Sequence, residues 1–209
     1  MIISEISPYK HCIWDWNGTL IDDLSLAVEG LGILLEKKGL PKISQEEYRG
    51  RFRFPIEDFY NDMGLVGGLD SFEKIAFEFI NHYDKNISNL NLFPGVLEIL
   101  KNSSFSHSIL SAAPEVHLHE ITKKFGIHSH FENIFGLSHV FGDSKIQRGH
   151  ELLKKIKHKR DEIILIGDTD HDLEVGKALG VSVLLVADGH QSYDRLRKAH
   201  RKVIRTRYV

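Results

Sequence analysis

Four short apolar runs rich in β-branched residues recur along the chain: CIWDW at 12–16, HSILSA at 107–112, EIILIGD at 162–168 and VSVLLVAD at 181–188. Longer stretches with helical patterning separate them. Runs that stay apolar, instead of alternating apolar and polar, belong to strands buried on both faces, and strands joined through helices lie parallel. The chain is therefore expected to be α/β, with a doubly wound parallel sheet. The helices between the strands carry recognisable ends. PEVHLHEITKKFG (114–126) opens on proline and closes on glycine, QRGHELLKKIKHK (147–159) ends in a basic turn, and DLEVGKALG (172–180) stops at Gly180.

Residues 23–91 break this rhythm, with helical patterns and no convincing strand. Leu24, Val28, Leu31 and Leu35 recur on one helical face. Ser44 and Glu47 have capping-box spacing for a second helix, and PIEDFYNDMG and DSFEKIAFEFINHYDK read as two more. LFPG at 92–95 turns the chain back toward the sheet. The expected division is an α/β core of 1–22 and 92–209 with an inserted α-helical cap, 23–91.

Composition excludes several classes. A net charge of −2 gives no reason to expect a polyanion-binding surface, and the seven Lys or Arg between 195 and 207 are accounted for by a last helix plus an edge strand, with no nucleic-acid partner. The single cysteine, Cys12, cannot form an internal disulfide, which favours a reducing compartment. With neither a signal-peptide pattern in MIISEISPYK nor an apolar run of membrane-spanning length, a cytoplasmic protein with no membrane partner is expected.

Ligand sites in open parallel sheets lie beyond the carboxyl ends of the strands. The polar residues expected there are Asp15 after the first strand, Ser111 in the second, and Asp168 with Asp172 after ILIG, together with Lys145 in FGDSKIQRG ahead of a helix. DWNGTL at 15–20, SILSAAP around Ser111, Lys145 and GDTDHD at 167–172 occur in this order over nearly the whole chain. In that set the sequence resembles the haloacid dehalogenase-like superfamily, in its phosphoglycolate-phosphatase-like branch with a helical cap. The resemblance implies a Rossmann-like core and a Mg²⁺-dependent hydrolase of a small phosphorylated metabolite, working as a monomer or homodimer. Asp15 would be the nucleophile, accepting the phosphoryl group and splitting one displacement into two. Asp15, Asp168 and Asp172, with the backbone carbonyl of Asn17, would hold the Mg²⁺ through oxygen ligands. Ser111, Ala112 and Lys145, with the backbone N–H groups of Trp16 and Asn17, would bind phosphate.

One position departs from the family's first motif, Asp-x-Asp-Gly-Thr-Leu, because residue 17 is Asn. The second acid of that motif protonates the leaving oxygen and later activates water, and an amide does neither. Such help is typically worth ~10²–10⁴-fold in rate. Three readings stay open: a substrate whose leaving group departs easily, as from an acyl or aryl phosphate; a regulatory protein whose useful state is bound or covalent phosphate; or carbon–phosphorus cleavage resembling phosphonoacetaldehyde hydrolase, with a Schiff base on one of Lys37, Lys38, Lys42, Lys74 or Lys85. The dipeptide Asn17-Gly18 also invites deamidation, which would regenerate an acid. Within YRGRFRFPIEDFY (48–60), Arg51 and Arg53 are candidates to reach a second anionic group on the substrate. The thirteen histidines, HLH at 117–119 and HSH at 128–130 included, show no zinc spacing and read as surface residues.

Overall fold

The computed structural model describes residues 2–138, 144–187 and 189–205. Its centre is a six-stranded, wholly parallel sheet: β1 (His11–Trp14), β2 (Ser106–Pro114), β3 (Asn133–Leu137), β4 (Ile163–Gly167), β5 (Ser182–Val186) and β6 (Val203–Ile204), in the order β3-β2-β1-β4-β5-β6. The chain builds outward from β1 to β3, then returns to the other side of β1 and builds outward again. The direction of winding reverses between β1 and β4. That crevice is where the strand termini leave room for a ligand.

Alternation along the central strands explains why both faces are covered. Cys12 and Trp14 of β1, with Ile164 and Ile166 of β4, bury against α1 (Ile2–Ile6), α6 (Val96–Asn102) and α7 (Glu115–Lys124). Ile13 and Leu165, one residue out of phase, bury against α8 (Lys145–Leu153) and α9 (Asp170–Leu179). The α/β parallel sheet expected from the sequence is therefore observed, and β6 with α10 (Tyr193–Ala199) forms the expected helix and edge strand. Among the elements not expected are α6, which follows the LFPG turn, β3 and α1. The strand NIFGL (β3) contains Asn and Gly and is only alternately buried, and α1 is too short for helical periodicity to register.

Within residues 23–91 the chain forms four α-helices, α2 (Leu24–Lys37), α3 (Gln45–Arg51), α4 (Ile56–Asp62) and α5 (Phe72–Asn86), around an apolar cluster of their own that includes Leu31, Leu35, Phe59 and Ile75. The Ser44–Glu47 capping box is formed at the start of α3. The insertion begins and ends side by side. Ile21 bridges Leu92, Asp22 donates its N–H to the Asn91 carbonyl at 3.0 Å, and Phe93 donates to Leu20 at 2.9 Å. The chain thus leaves and re-enters the core at one narrow place beside the end of β1, and α3 makes a second contact with the core where Arg49 donates to the Gly189 carbonyl at 2.9 Å. Among the described residues no helix is long and apolar enough to cross a membrane.

Candidate active site

Asp15 leaves the end of β1 still tied to the sheet, its N–H donating to the Ile166 carbonyl at 2.9 Å. Asp168 stands at the corresponding end of β4, and Asp172 lies in the first turn of α9, where the Thr169 N–H and hydroxyl donate to its Oδ2 at 3.0 and 2.8 Å. A Cβ at Gly167 would come within 2.1 Å of the Asp172 carboxyl carbon, so the glycine is what admits that carboxylate. Asp15, Asp168 and Asp172 each offer an oxygen within 4.8 Å of the others, all three buried. Lys145, at the start of α8 and also buried, donates to Asp172 Oδ1 at 2.6 Å and to Asp15 Oδ1.

The charges are coupled. Burial pushes the Asp15 carboxyl up to about 8, with Asp172 and Asp168 adding to the effect against the opposing Lys145 ammonium. Burial alone would also raise Asp172, but Lys145 outweighs it and holds that carboxyl below its ordinary value. For Lys145, burial works against the charged form, yet the two carboxylates keep it protonated and above its usual range.

Asn17 turns its side chain away from this cluster toward the helical insertion. Its Nδ2 donates to Asp23 Oδ2 at 2.8 Å and to the Tyr83 hydroxyl at 2.7 Å, and that hydroxyl in turn donates to Asp23 Oδ2 at 2.8 Å. Asp23 Oδ1 accepts the Gly18 N–H at 2.7 Å and pairs with His190 Nε2 at 3.2 Å. The other ring nitrogen of His190 meets the Tyr48 hydroxyl at 3.0 Å. Burial would neutralise both partners of the Asp23–His190 pair. Their mutual attraction wins, so Asp23 is lowered and His190 is raised to about 9. His190 is also fixed through its backbone, whose N–H donates to Asp168 Oδ2 at 2.6 Å. A Cβ at Gly18, where φ is +64°, would strike that same Asp168 oxygen and the His190 ring. The glycine lets the loop after β1 close against the loop after β5.

A cavity of about 630 Å³ opens above these groups between the sheet and the insertion. The structure brings eight of the expected residues to its wall: Asp15, Trp16, Asn17, Ser111, Ala112, Lys145, Asp168 and Asp172. It does not bring Arg51 or Arg53. Arg53 pairs with Asp62 and Asp58, and Arg51 donates to the Asp62 carbonyl at 2.9 Å, so the expectation that they reach a substrate anion is corrected by acids and carbonyls of their own segment. None of the five cap lysines lines the cavity either; Lys38 and Lys74 are bound to Asp70, Lys37 to Glu78 and Lys42 to Glu36. The histidines of HLH and HSH form no metal cluster among the described residues, where His119 and His128 lie 3.0 Å apart and His117 pairs with Asp84.

Sequence reasoning missed Asp23, Tyr48, Tyr83 and His190. His190 was within reach, because it follows the fifth apolar strand at the same carboxyl edge as the other site residues. The remaining three come from the insertion, and nothing in their spacing distinguishes them from its apolar positions.

The comparisons agree with this geometry. Residues 12–186 match the model of the haloacid dehalogenase-like hydrolase family. The chain is 27% identical to a phosphoglycolate phosphatase of Aquifex aeolicus, covering 85% of this chain and 84% of that protein, and 26% identical to a 5'-nucleotidase of Pseudomonas aeruginosa, covering 90% and 87%. A solved haloacid dehalogenase-like family hydrolase from Streptococcus pneumoniae superposes with a TM-score of 0.79 at 22% identity, over 95% of this chain and 94% of that one. With strand order, acidic cluster and matched span in accord, the chain belongs to the haloacid dehalogenase-like hydrolase family.

Proposed function

We propose that this protein is a Mg²⁺-dependent phosphatase of small phosphorylated metabolites, in which Asp15 takes the phosphoryl group and the insertion 23–91 acts as a cap over it. The observation that carries the reading is the buried meeting of Asp15, Asp168, Asp172 and Lys145 at the reversal of the sheet. The names of the phosphoglycolate phosphatase and 5'-nucleotidase relatives support it.

A divalent ion fits the donor set. With Asp23 and His190 included, four buried carboxyl groups face two cations in a set of hard oxygen donors, and a bound cation would favour the ionised form of Asp15 that burial opposes. Asp15, Asp168, Asp172 and the Asn17 carbonyl would hold the ion, which supplies charge neutralisation for the phosphoryl oxygens. The chain's own groups do the rest. The Asp15 carboxylate attacks phosphorus, Lys145 balances the charge that gathers on the transferring group, and Ser111 and the N–H groups of Trp16, Asn17 and Ala112 orient its oxygens. Water then attacks the aspartyl-phosphate and returns Asp15. Asn17 holds Asp23 and Tyr83 instead of moving a proton.

Phosphate release from a panel of phosphomonoesters tests the reading. Activity is expected to vanish with EDTA, return with Mg²⁺ and be absent in Asp15→Asn. If the protein binds phosphate with beryllium fluoride and Mg²⁺ but completes no cycles, the regulatory alternative, which the amide at 17 favours, replaces it.

A further inference from the structure

We infer that the leaving group this site accepts is aromatic and apolar, so that the substrate is a low-molecular-mass aryl phosphomonoester. The inference rests on the phosphatase reading and adds the substrate class to it.

The first observation is the cavity. Its 630 Å³ is walled from the insertion by Phe52, Phe54, Phe59, Tyr60, Phe79 and Tyr83, and from the core by aliphatic side chains of α7. Among the described lining residues the one Lys or Arg is Lys145, already committed to Asp15 and Asp172. Two of the lining tyrosines are also committed: the Tyr83 hydroxyl to Asp23 and Asn17, and the Tyr48 hydroxyl to His190. The acids on the wall, Asp84 and Glu174, pair with His117 and His171. A carboxylate or a second phosphate would meet no Lys or Arg here besides Lys145, only the scattered hydroxyls and imidazoles of Tyr60, Ser144, His117 and His171, so its charge would be poorly compensated. A two-carbon phosphorylated acid would leave most of the apolar wall uncovered. An aromatic ring instead meets partners that favour the edge-on and offset contacts this wall already makes, as between Phe52 and Phe59 at 5.4 Å and between Phe54 and His171 at 4.6 Å.

The second observation is independent of the first. Both N–H groups of the Asn17 amide are engaged and neither is acidic, so residue 17 gives the departing oxygen no proton. A phenol has a pKa of ~10, against ~16 for a water-like hydroxyl, so an aryloxide departs unprotonated far more readily than an alkoxide. In the step as written, an Asp15 oxygen forms the bond to phosphorus while the aryl oxygen–phosphorus bond breaks. The aryloxide keeps the electron pair and is protonated by solvent, and water then releases inorganic phosphate from Asp15.

With the full chain and Mg²⁺, kcat/KM is measured for phenyl, 1-naphthyl and benzyl phosphate beside phosphoglycolate, glycerol 3-phosphate and ribose 5-phosphate. The aryl esters are expected to exceed the three polar ones by at least about 100-fold, and benzyl phosphate, aromatic but with an alkoxide leaving group, to match phenyl phosphate in KM while losing about 100-fold in kcat. Ile80→Trp, at a half-buried position on the wall, is expected to raise KM for 1-naphthyl phosphate about tenfold more than for phenyl phosphate. Preference for any of the polar esters overturns the inference and leaves the phosphatase reading standing. If no ester is turned over, the phosphatase reading fails, and titration with 1-naphthylphosphonate decides the inference: binding tighter than methylphosphonate upholds the aromatic site, and equal or weaker binding removes it.

Discussion

Asn17→Asp restores the family's second acid, and the structure says what else the change does. The Asn17 Nδ2 group lies 2.8 Å from Asp23 Oδ2. Two carboxylates at that separation repel by about 6 kcal/mol at an effective dielectric constant of ~20, which would lift the pKa of the new acid from ~3.9 to about 8. Protonation is the cheaper escape. Holding the acid neutral at pH 7 costs about 4 kcal/mol, and the neutral carboxyl donates to Asp23 much as the amide did. Because the folded pKa lies above the unfolded one, the folded variant binds the extra proton. Its stability matches the parent near pH 4 and falls behind by ~1.4 kcal/mol per pH unit as pH rises toward the folded value. The check is urea unfolding of the parent, Asn17→Asp and the double variant Asn17→Asp/Asp23→Asn between pH 5 and 7.5. The double variant exchanges amide and carboxylate and removes that repulsion, though it also takes the carboxylate from His190, so it should lose stability less steeply than the single variant as pH rises from 5 to 7.5. It should also show the kinetic benefit, a gain of ~10²–10⁴-fold on an alkyl phosphate and much less on p-nitrophenyl phosphate. A single variant as stable as the parent at pH 7, or equal gains on both substrates, refutes the reasoning.

The remaining predictions concern the far end of the sheet and the chemistry of residue 17. Burial pushes His11 and His107 down to about 4, and His107 Nδ1 already accepts the Trp14 indole N–H at 3.0 Å, so protonation there would set two donors against each other. These lowered pKa values contribute stability that is complete above ~6.5 and lost as pH falls toward 4, about 2 kcal/mol per ring by pH 5; urea midpoints at pH 7.5 and 5 should reveal it, and His107→Gln should flatten the slope. Asn17-Gly18 should resist deamidation in the folded protein, because the Gly18 N–H that must attack is bound to Asp23 and the amide under attack is bound on both N–H groups. Peptide mass spectrometry after storage should find residue 17 amidated, and conversion at the rate seen in urea would sink that account.

How much was legible follows from where the information sits. The four central strands announce themselves because burial on both faces demands uninterrupted apolar runs, and Asp15, Ser111 and Asp168 follow because each stands near the end of one of those runs. Asp172 was readable as the start of a helix, whereas Lys145, expected in the loop ahead of one, is its first residue. β3 was not, because a short strand beside a β2 whose register shifts after Leu110 tolerates Asn and Gly. Arg51 and Arg53 misled for a different reason. A charged residue next to aromatics suggests an anion site, but sequence does not say that acids and carbonyls later in the same segment reach the guanidinium groups first.

The asparagine is the residue for which sequence and structure together say more than either alone. Seen in the sequence, it is a missing acid, and the natural question is what has been lost. In the fold, residue 17 lies next to Asp23, a buried carboxylate whose oxygens accept from Gly18, Tyr83 and Asn17 and pair with His190. An acid at 17 would be a fifth carboxylate in a neighbourhood that already sets four against Lys145 and His190. An amide there supplies a donor where one more charge would be expelled or neutralised. The rate lost by giving up a proton donor is then tolerable only for a leaving group that does not need one. The identity of residue 17 and the aromatic cavity above it are thus two constraints that the same substrate satisfies.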